Sequence, residues 1–238
     1  MKKILSLVLV LVLGLGTVTS SFASSNFNNV DGQVKVLKDN ENVRIVEGSD
    51  SQGTYHITFN KKDNTCDVKI IKKSTKEVVR TKVKIPKVSK DKELYNEKKL
   101  SSKGFFHDDY QKTYINYEYF RDGDQWELRK PKTPFISYYY LNREETSENR
   151  DDLENFKDAV DDVNFTELAA IGTAGYAGVQ SVLAVGSAVL AITSGFTLTA
   201  VFWKTATEAV LGSTAAAAAI HMYNKACTEA YEAFDDCF

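Results

Sequence analysis

Apolar and polar residues alternate along residues 30–86, which is the period of a β-strand. Tyr55 and Ile57, for example, fall on one side of such a strand, with polar residues between them. Turn-forming residues at 48–53 and 62–64 separate the alternating runs. The pattern predicts an antiparallel β-meander with one wet face. The other apolar positions of the pattern are Val43, Ile45, Phe59, Cys66, Val68, Ile70, Val79, Val83 and Ile85.

Residues 105–141 are dense in aromatic side chains, which favour strands. Two interpretations are open: a platform that binds wall carbohydrate, or a second layer of sheet core with amphipathic tyrosines at its rim. The residues before this stretch, 87–104, are Lys-rich and polar and predict a linker or exposed loop. The aromatic residues are Phe105, Phe106, Tyr110, Tyr114, Tyr117, Tyr119, Phe120, Trp126, Phe135, Tyr138, Tyr139 and Tyr140.

A helical period replaces the alternation after residue 149. Asn149 is a suitable N-cap, and Asp151 and Asp152 in the first turn suit the helix dipole. Residues 164–167, Asn-Phe-Thr-Glu, resemble a capping box and predict that a second helix begins there. The apolar stripe of the first helix consists of Leu153, Phe156, Val160 and Val163.

No charged residue occurs in residues 168–203, a stretch rich in Gly, Ala, Ser and Thr. Its small residues recur at helical spacing, which lets two helix backbones approach closely. A turn at 193–195 would make this an antiparallel hairpin of helices, one over 165–192 and one over 196–221. The residues predicted to insert into a membrane or to make helix contacts are Ala170, Ala174, Gly178, Ala184, Ala188, Gly195 and Trp203, opposite Gly212 and Ala216.

This apolar hairpin also has two interpretations. It could insert into a membrane, because its first arm is long enough to cross a bilayer. It could equally be the buried core of a soluble helical bundle, where Ala and Gly also permit close packing. The second arm reaches spanning length only by including Lys204 and Glu208, which are spaced to pair with each other.

We predict an α+β fold, with an N-terminal antiparallel β-rich domain followed by a C-terminal helical region that contains the Ala/Gly-rich apolar hairpin. The β-rich domain is placed at 24–148 and the helical, membrane-active region at 149–238. Residues 1–23 have the form of a signal peptide: two lysines, an apolar run, and the small residues Ser21 and Ala23 before the cleavage site. We therefore expect a secreted, extracellular protein. The apolar run is short for the alternative, an N-terminal membrane anchor.

Charge and motifs narrow the function further. The net charge is −2 and residues 157–238 are clearly acidic, which argues against a nucleic-acid partner. The three histidines occur in no metalloprotease motif, and no nucleophile elbow, phosphate loop or Cys-x-x-Cys is present. His107, Asp108 and Asp109 are interpreted as a solvated loop rather than as a metal or acid–base cluster. We expect no enzymatic activity, no cofactor and no metal.

The three cysteines, Cys66, Cys227 and Cys237, allow one disulfide at most. If Cys227 and Cys237 were in one unbroken helix they would lie about 15 Å apart, too far to bond. A bridge between them, which we predict, therefore requires the chain to turn back before Cys237. Three reduced thiols are the alternative.

The layout resembles that of large secreted bacteriocin precursors of Gram-positive bacteria, the closticin and geobacillin type. The shared features are a signal peptide, a long polar β-rich part, an Ala/Gly-rich apolar C-terminal third and the ending Cys237-Phe238. The resemblance implies an antibacterial protein that acts on target-cell membranes, with release of the C-terminal part. The target bacterial membrane is then its partner, and an immunity protein is a further candidate partner. The alternative is a soluble cell-surface binding or structural module.

Overall fold

The computed structural model describes residues 32–85, 110–113, 117–132, 137–193 and 198–238. Within these residues the chain forms two antiparallel sheets followed by a long helix and two shorter ones, so the predicted α+β fold is confirmed. The predicted signal peptide lies outside the described residues, as do His107, Asp108 and Asp109.

The first sheet is the predicted meander. Its strands pair in chain order with antiparallel register, and the predicted apolar positions of β3, β4 and β5 face one side. The prediction is wrong for β2: Val46 lies on the buried face, whereas Val43 and Ile45 lie on the opposite one. Val46, Ile57 and Val68 occupy one cross-strand row of the buried face and are nearly inaccessible to solvent. The opposite face is wet. The strands are β1 Gly32–Asp39, β2 Val43–Asp50, β3 Gly53–Asn60, β4 Thr65–Lys72 and β5 Val78–Lys84.

Short side chains close two of its turns. The Asn40 amide oxygen accepts hydrogen bonds from the backbone N–H groups of Asn42 and Val43, at 3.0 and 2.9 Å. The Asp50 carboxylate accepts from the N–H groups of Gln52 and Gly53, at 2.8 and 3.0 Å. Asp and Asn are turn residues because their side chains can satisfy nearby backbone donors in this way.

The second sheet contains the aromatic segment, and its rings point both ways. Tyr119 and Trp126 are buried on the inner face, whereas Phe120 and Tyr140 are exposed on the outer face. The strand prediction is confirmed, and part of the aromatic set is sheet core. Phe105, Phe106, Tyr114 and Phe135 lie outside the described residues. The strands are β6 Tyr110–Lys112, β7 Glu118–Asp122, β8 Gln125–Lys132 and β9 Ser137–Glu144.

The first helix is longer than predicted. It is α1, Arg150–Leu190, and the second helix start predicted at 164–167 is wrong. The Thr166 hydroxyl donates to the carbonyl of Asp162, one turn back at 2.8 Å, so it does not cap a new helix. Asn149 precedes α1 as predicted, but its side chain accepts from Thr146 N–H instead of capping.

The return arm is shorter than predicted. α2 is Ala200–Leu211 and α3 is Ala217–Asp236, so the single helix predicted over 196–221 is wrong. Gly212 ends α2 in the left-handed conformation, with φ 72° and its N–H donating to the Glu208 carbonyl. A glycine is suited to this ending because it has no Cβ to strain. The helix resumes only with the alanine run.

The three helices share one contiguous core with both sheets. α2 packs on the buried face of the first sheet, mainly against β2 and β3, while α3 lies over β8 of the second sheet. α1 runs along both α2 and α3. The apolar C-terminal region is therefore in the centre of the molecule.

Candidate membrane-active hairpin

The predicted antiparallel hairpin is present, and it extends along the whole of α1. Gly178 of α1 lies against Leu211, since a Cβ at Gly178 would be 3.2 Å from a Leu211 methyl carbon. Further back along α1, the Phe156 ring lies 5.5 Å from that of Phe234. Residues nearer the start of α1 therefore contact residues nearer the end of the return arm, as in an antiparallel hairpin. α2 and α3 together form the return arm.

Small residues set the close contact, as predicted, but not all of the predicted ones do so. Gly178 contacts Leu211 rather than Gly212 or Ala216. Gly186, which was not predicted, makes the closest approach: a Cβ there would overlap the Trp203 ring. Its position two four-residue steps after Gly178 was the available signal. Ala170 is buried, and Ala174, Ala184 and Ala188 are half-buried against the core; Gly195 lies outside the described residues.

Each arm of the hairpin breaks within one helical turn of the contact between Gly178 and Leu211. Gly175 interrupts α1 with φ 70° and ψ 157°, a conformation open essentially only to glycine. Gly175 lies three residues before Gly178, and the 212–216 break begins one residue after Leu211, which Gly178 contacts. We name residues 176–190 with α2 the tip half, and residues 150–174 with α3 the base half.

The tip half is apolar and partly exposed at its end. Leu190, the last residue of α1, and Ile192, two residues beyond it, each expose 46% of their surface. Trp203, predicted to insert, is buried between Gly186 and the Phe202 ring in this structure. Its indole Nε1 and the Thr207 hydroxyl have no hydrogen-bond partner among the residues that the structure describes. Buried polar groups without partners destabilise a fold by about 1–3 kcal/mol each.

Two polar contacts fasten the tip half to the first sheet. In the first, the Thr199 hydroxyl donates to the Asp50 carboxylate at 2.6 Å, and the Tyr55 hydroxyl donates to the same carboxylate at 2.9 Å. Thr199 also caps α2 by accepting from Phe202 N–H at 3.1 Å. Burial is the main cause that raises the pKa of Tyr55, so its phenol stays protonated. We name this cluster the Asp50 latch.

The second contact is an ion pair between Glu208 of α2 and Arg44 of β2. The predicted pairing of Glu208 with Lys204 is therefore not formed. Arg44 also pairs with Asp39 at 2.6 Å, and Asp39 accepts from Lys61 at 2.6 Å. The hydrogen bond from Lys61 is the main cause that lowers the pKa of Asp39. We name this cluster the Arg44 latch.

The base half is fastened to the second sheet more extensively. Lys130 of β8 pairs with Asp235 at 2.5 Å, and its ammonium lies 3.4 Å from the centre of the Tyr231 ring. The Tyr117 hydroxyl donates to the Cys227 carbonyl at 2.7 Å. Further contacts join Arg121 to Glu154, Tyr119 to Asp161 and Arg143 to the Cys237 carbonyl.

One buried carboxylate crosses the base half. Glu167 of α1 is 1% exposed, and its Oε1 accepts from the Tyr223 hydroxyl of α3 at 2.9 Å. Desolvation is the main cause that raises the pKa of Tyr223 well above its usual value. A buried polar group destabilises a fold unless it is hydrogen-bonded, as Glu167 is here.

The cysteines are three free thiols. Cys227 and Cys237 lie on α3 and at its end, and the helix does not turn back between them. The predicted bridge is not formed, because an unbroken helix holds the two sulfurs too far apart. The Cys237 thiol instead donates to the Asp152 carbonyl of α1 at 3.5 Å. Burial is the main cause that raises the pKa of Cys66 and of Cys237 to about 12.

Other candidate chemistry is sparse. His56 lies on the wet face of the first sheet, 3.1 Å from Glu47, and His221 lies in α3. No cluster of three metal-ligating side chains occurs in the described ranges. By length and composition α1 could cross a membrane, although a buried core helix of a soluble protein can share those properties.

The fold thus defines a class: an α+β protein whose central apolar helical hairpin is covered by two antiparallel sheets. Comparisons with protein-family models, with curated proteins and with solved structures find no match.

Proposed function

We propose that this is a secreted antibacterial protein, without enzymatic activity, that acts on the membranes of competing bacteria by inserting the tip half of its helical hairpin. The observation that carries the proposal is that each arm breaks close to the Gly178–Leu211 contact, α1 at Gly175 and the return arm at Gly212. These breaks separate an apolar, lightly fastened tip half from a firmly fastened base half. A hairpin with paired breaks can swing its end away without unfolding its root.

The energy of such a movement depends on the surroundings. Val182, Val185, Val201 and Phe202 are fully buried in the tip half. Exposing one such side chain to water costs about 1.5–3 kcal/mol, so the tip half stays packed in solution. In contact with lipid, acyl chains replace the sheet as the apolar partners of the tip half, so this cost largely disappears. The rearrangement is then a conditional one that a membrane can drive.

The polar residues of α2 fit the same scheme only partly. Once the tip half leaves the sheet, Glu208 loses Arg44 and can pair with Lys204 one turn away on α2. Trp203 can then lie at the polar interface of the membrane, where its indole N–H finds hydrogen-bond acceptors; tryptophan favours this environment. Lys204 still opposes deep burial, because a charged residue at mid-membrane costs about 2.5–3.5 kcal/mol.

A cross-link between the sheet and α2 tests the proposal. A Cβ at Gly48 would lie 3.1 Å from the Thr205 Cβ. This is just below the usual range of about 3.5–4.5 Å for a disulfide, so a small shift allows the bond. The variant Gly48→Cys/Thr205→Cys should lose dye release from vesicles, and killing of Gram-positive indicator strains, when oxidised. Reductant should restore both, because it frees the tip half.

The matched controls are Thr205→Cys and Gly48→Cys/Thr205→Ala, each with one thiol; the second lacks the Thr205 hydroxyl, which a Cβ at position 48 would overlap. Both should release dye with or without reductant, and circular dichroism should show that all three variants are folded. If the oxidised double variant releases dye as fast as its reduced form, insertion of the tip half is wrong. If the parent neither kills nor releases dye, the membrane function is wrong as a whole.

A second candidate is a soluble cell-surface binding module, in which the hairpin is only a packed core. The outer face of the second sheet favours it: Tyr140 exposes 68% of its surface there, beside Arg129, whose guanidinium lies 4.8 Å from the Tyr138 ring centre. Exposed aromatic rings at a protein surface can stack on sugar rings. Retention on cell-wall polysaccharide, lost in Tyr140→Ala and accompanied by no dye release, would support this function over the first.

A further inference from the structure

The β4–β5 turn, residues 73–77, lies at the same end of the molecule as the start of α2. Lys73 N–H donates to the Gln52 carbonyl at 2.8 Å, and Gln52 N–H donates to the Asp50 carboxylate at 2.8 Å. Asp50 in turn accepts from Thr199, the residue that caps α2. An unbroken series of hydrogen bonds thus connects the turn with the tip half.

This end combines positive charge with exposed apolar side chains. Lys73 and Lys76 are exposed, and neither has an ion pair within the described part of the chain. The nearby Lys72 pairs with Glu77 at 2.9 Å. Asp50 is buried and bonded within its latch. The exposed lysines therefore place positive charge at the end of the molecule where α2 begins and α1 ends.

The backbone at Lys76 supplies a separate observation. Its φ is +60°, in the left-handed region where glycine and asparagine are favoured. A lysine there costs some stability that glycine in the same turn would not. Strained positions of this kind cluster at functional sites.

We propose that the β4–β5 turn and the exposed end of α1, at Leu190 and Ile192, form one docking surface for a bilayer with anionic headgroups. The inference rests on the proposed membrane function and gives it an orientation. Lys73 and Lys76 bind the headgroups, while Leu190 and Ile192 enter the boundary with the acyl chains. Interfacial binding by apolar and basic groups together follows the same physics in peripheral membrane proteins. Docked this way, the tip half already points at the membrane.

Vesicle sedimentation tests this without requiring insertion. The purified protein should bind vesicles of phosphatidylcholine and phosphatidylglycerol in equal parts, and only weakly vesicles of phosphatidylcholine alone. Each lysine near an anionic surface contributes about five-fold in affinity, so Lys73→Gln/Lys76→Gln should bind about 25-fold more weakly. The matched control is Lys82→Gln/Lys84→Gln, which removes two exposed lysines from β5 beyond this turn.

The variant Lys76→Gly separates binding from folding. It relieves the left-handed backbone and should keep its thermal stability, yet bind about five-fold more weakly. Leu190→Ser/Ile192→Ser should lose the binding that persists at high salt, where charge is screened. Equal weakening by the control pair, full binding by Lys73→Gln/Lys76→Gln, or no binding by the parent would overturn the proposal. Dye release that persists in Lys73→Gln/Lys76→Gln would refute the docking surface and leave the membrane function standing.

Discussion

The two halves of the helical hairpin differ in how they are held, although both are buried. The base half is joined to the second sheet by several polar contacts, among them Lys130 to Asp235 and Tyr117 to Cys227. In the part of the chain that the structure describes, the Asp50 and Arg44 latches are the polar contacts that join the tip half to the first sheet. The tip half also contains two buried polar groups without described partners, at Trp203 and Thr207. Burial therefore does not distinguish the two halves, whereas polar fastening does.

The difference shows that burial and polar contacts are separate properties. A core element can be well packed and still have few polar contacts that hold it in place. Apolar contacts have no direction and can be exchanged for lipid, while a hydrogen bond or ion pair needs its particular partner. An element held mostly by apolar contacts is thus released more readily into an apolar solvent.

Truncation of a buried ring in each half should give the largest effects. Phe156→Ala in the base half and Phe202→Ala in the tip half both remove a fully buried aromatic side chain. Each should lower the stability of the packing around it by about 3–5 kcal/mol. For Phe156→Ala this loss should appear in the global free energy of unfolding by urea.

For Phe202→Ala, native-state hydrogen exchange should show faster opening confined to the tip half. Protection of the base half and of the second sheet should change much less. If Phe202→Ala lowers protection equally in both halves, the hairpin unfolds as one unit and the comparison fails.

A pair of glycine variants in α1 should give smaller effects of opposite sign. Gly175→Ala forces a side chain into a backbone conformation reserved for glycine and should cost about 1–3 kcal/mol. Gly172→Ala is the matched control: a Cβ there meets nothing within 4 Å. It should stabilise the helix by up to about 1 kcal/mol. Shifts of the urea midpoint in the same direction for both variants would mean that the break at Gly175 is not imposed by the fold.

Acid should produce the smallest change, and in the base half. Burial, followed by the nearby charge of Lys225, lowers the pKa of His221 from its usual 6.5. The folded state thus favours the neutral ring, so this stability is complete above pH 6.5 and is lost as the pH falls through and below it. Thermal unfolding at pH 7.5 and 5.5 should show a smaller acid destabilisation in His221→Gln than in the parent. An unchanged pH dependence would remove His221 from the account.

The sequence predicted the strands well because their alternation is a direct record of burial. Tyr55 and Ile57 face the core as expected, and Cys66, Val68 and Ile70 do the same on the next strand. In β3 and β4 one face is wet, so periodicity identifies the other. β2 is the exception, because its buried positions are Val46, Gly48 and Asp50 and only the first of them is a large apolar residue.

The helices were predicted less well because the residues that mark their starts and ends are ambiguous. Thr166 has the chemistry of a cap, but its hydroxyl bonds equally well to a carbonyl within a continuous helix. At Gly212 the following alanines suggested continuation, while the left-handed cap stopped the helix. The wrong disulfide followed from the same uncertainty, since its formation depended on where the last helix ends. The latches at Asp50 and Arg44 join residues far apart in the chain, and no local pattern reports them.

The length of α2 sets how far the tip half can reach into a membrane. Its 12 residues extend about 18 Å, whereas the hydrocarbon core of a bilayer is about 30 Å thick. If the tip half inserts as proposed, it spans one leaflet and ends a little beyond the midplane. Extra material in one leaflet only stretches it against the other. We expect damage of this kind to appear as transient leakage that grows with the number of bound molecules, without the fixed conductance of a pore of defined width.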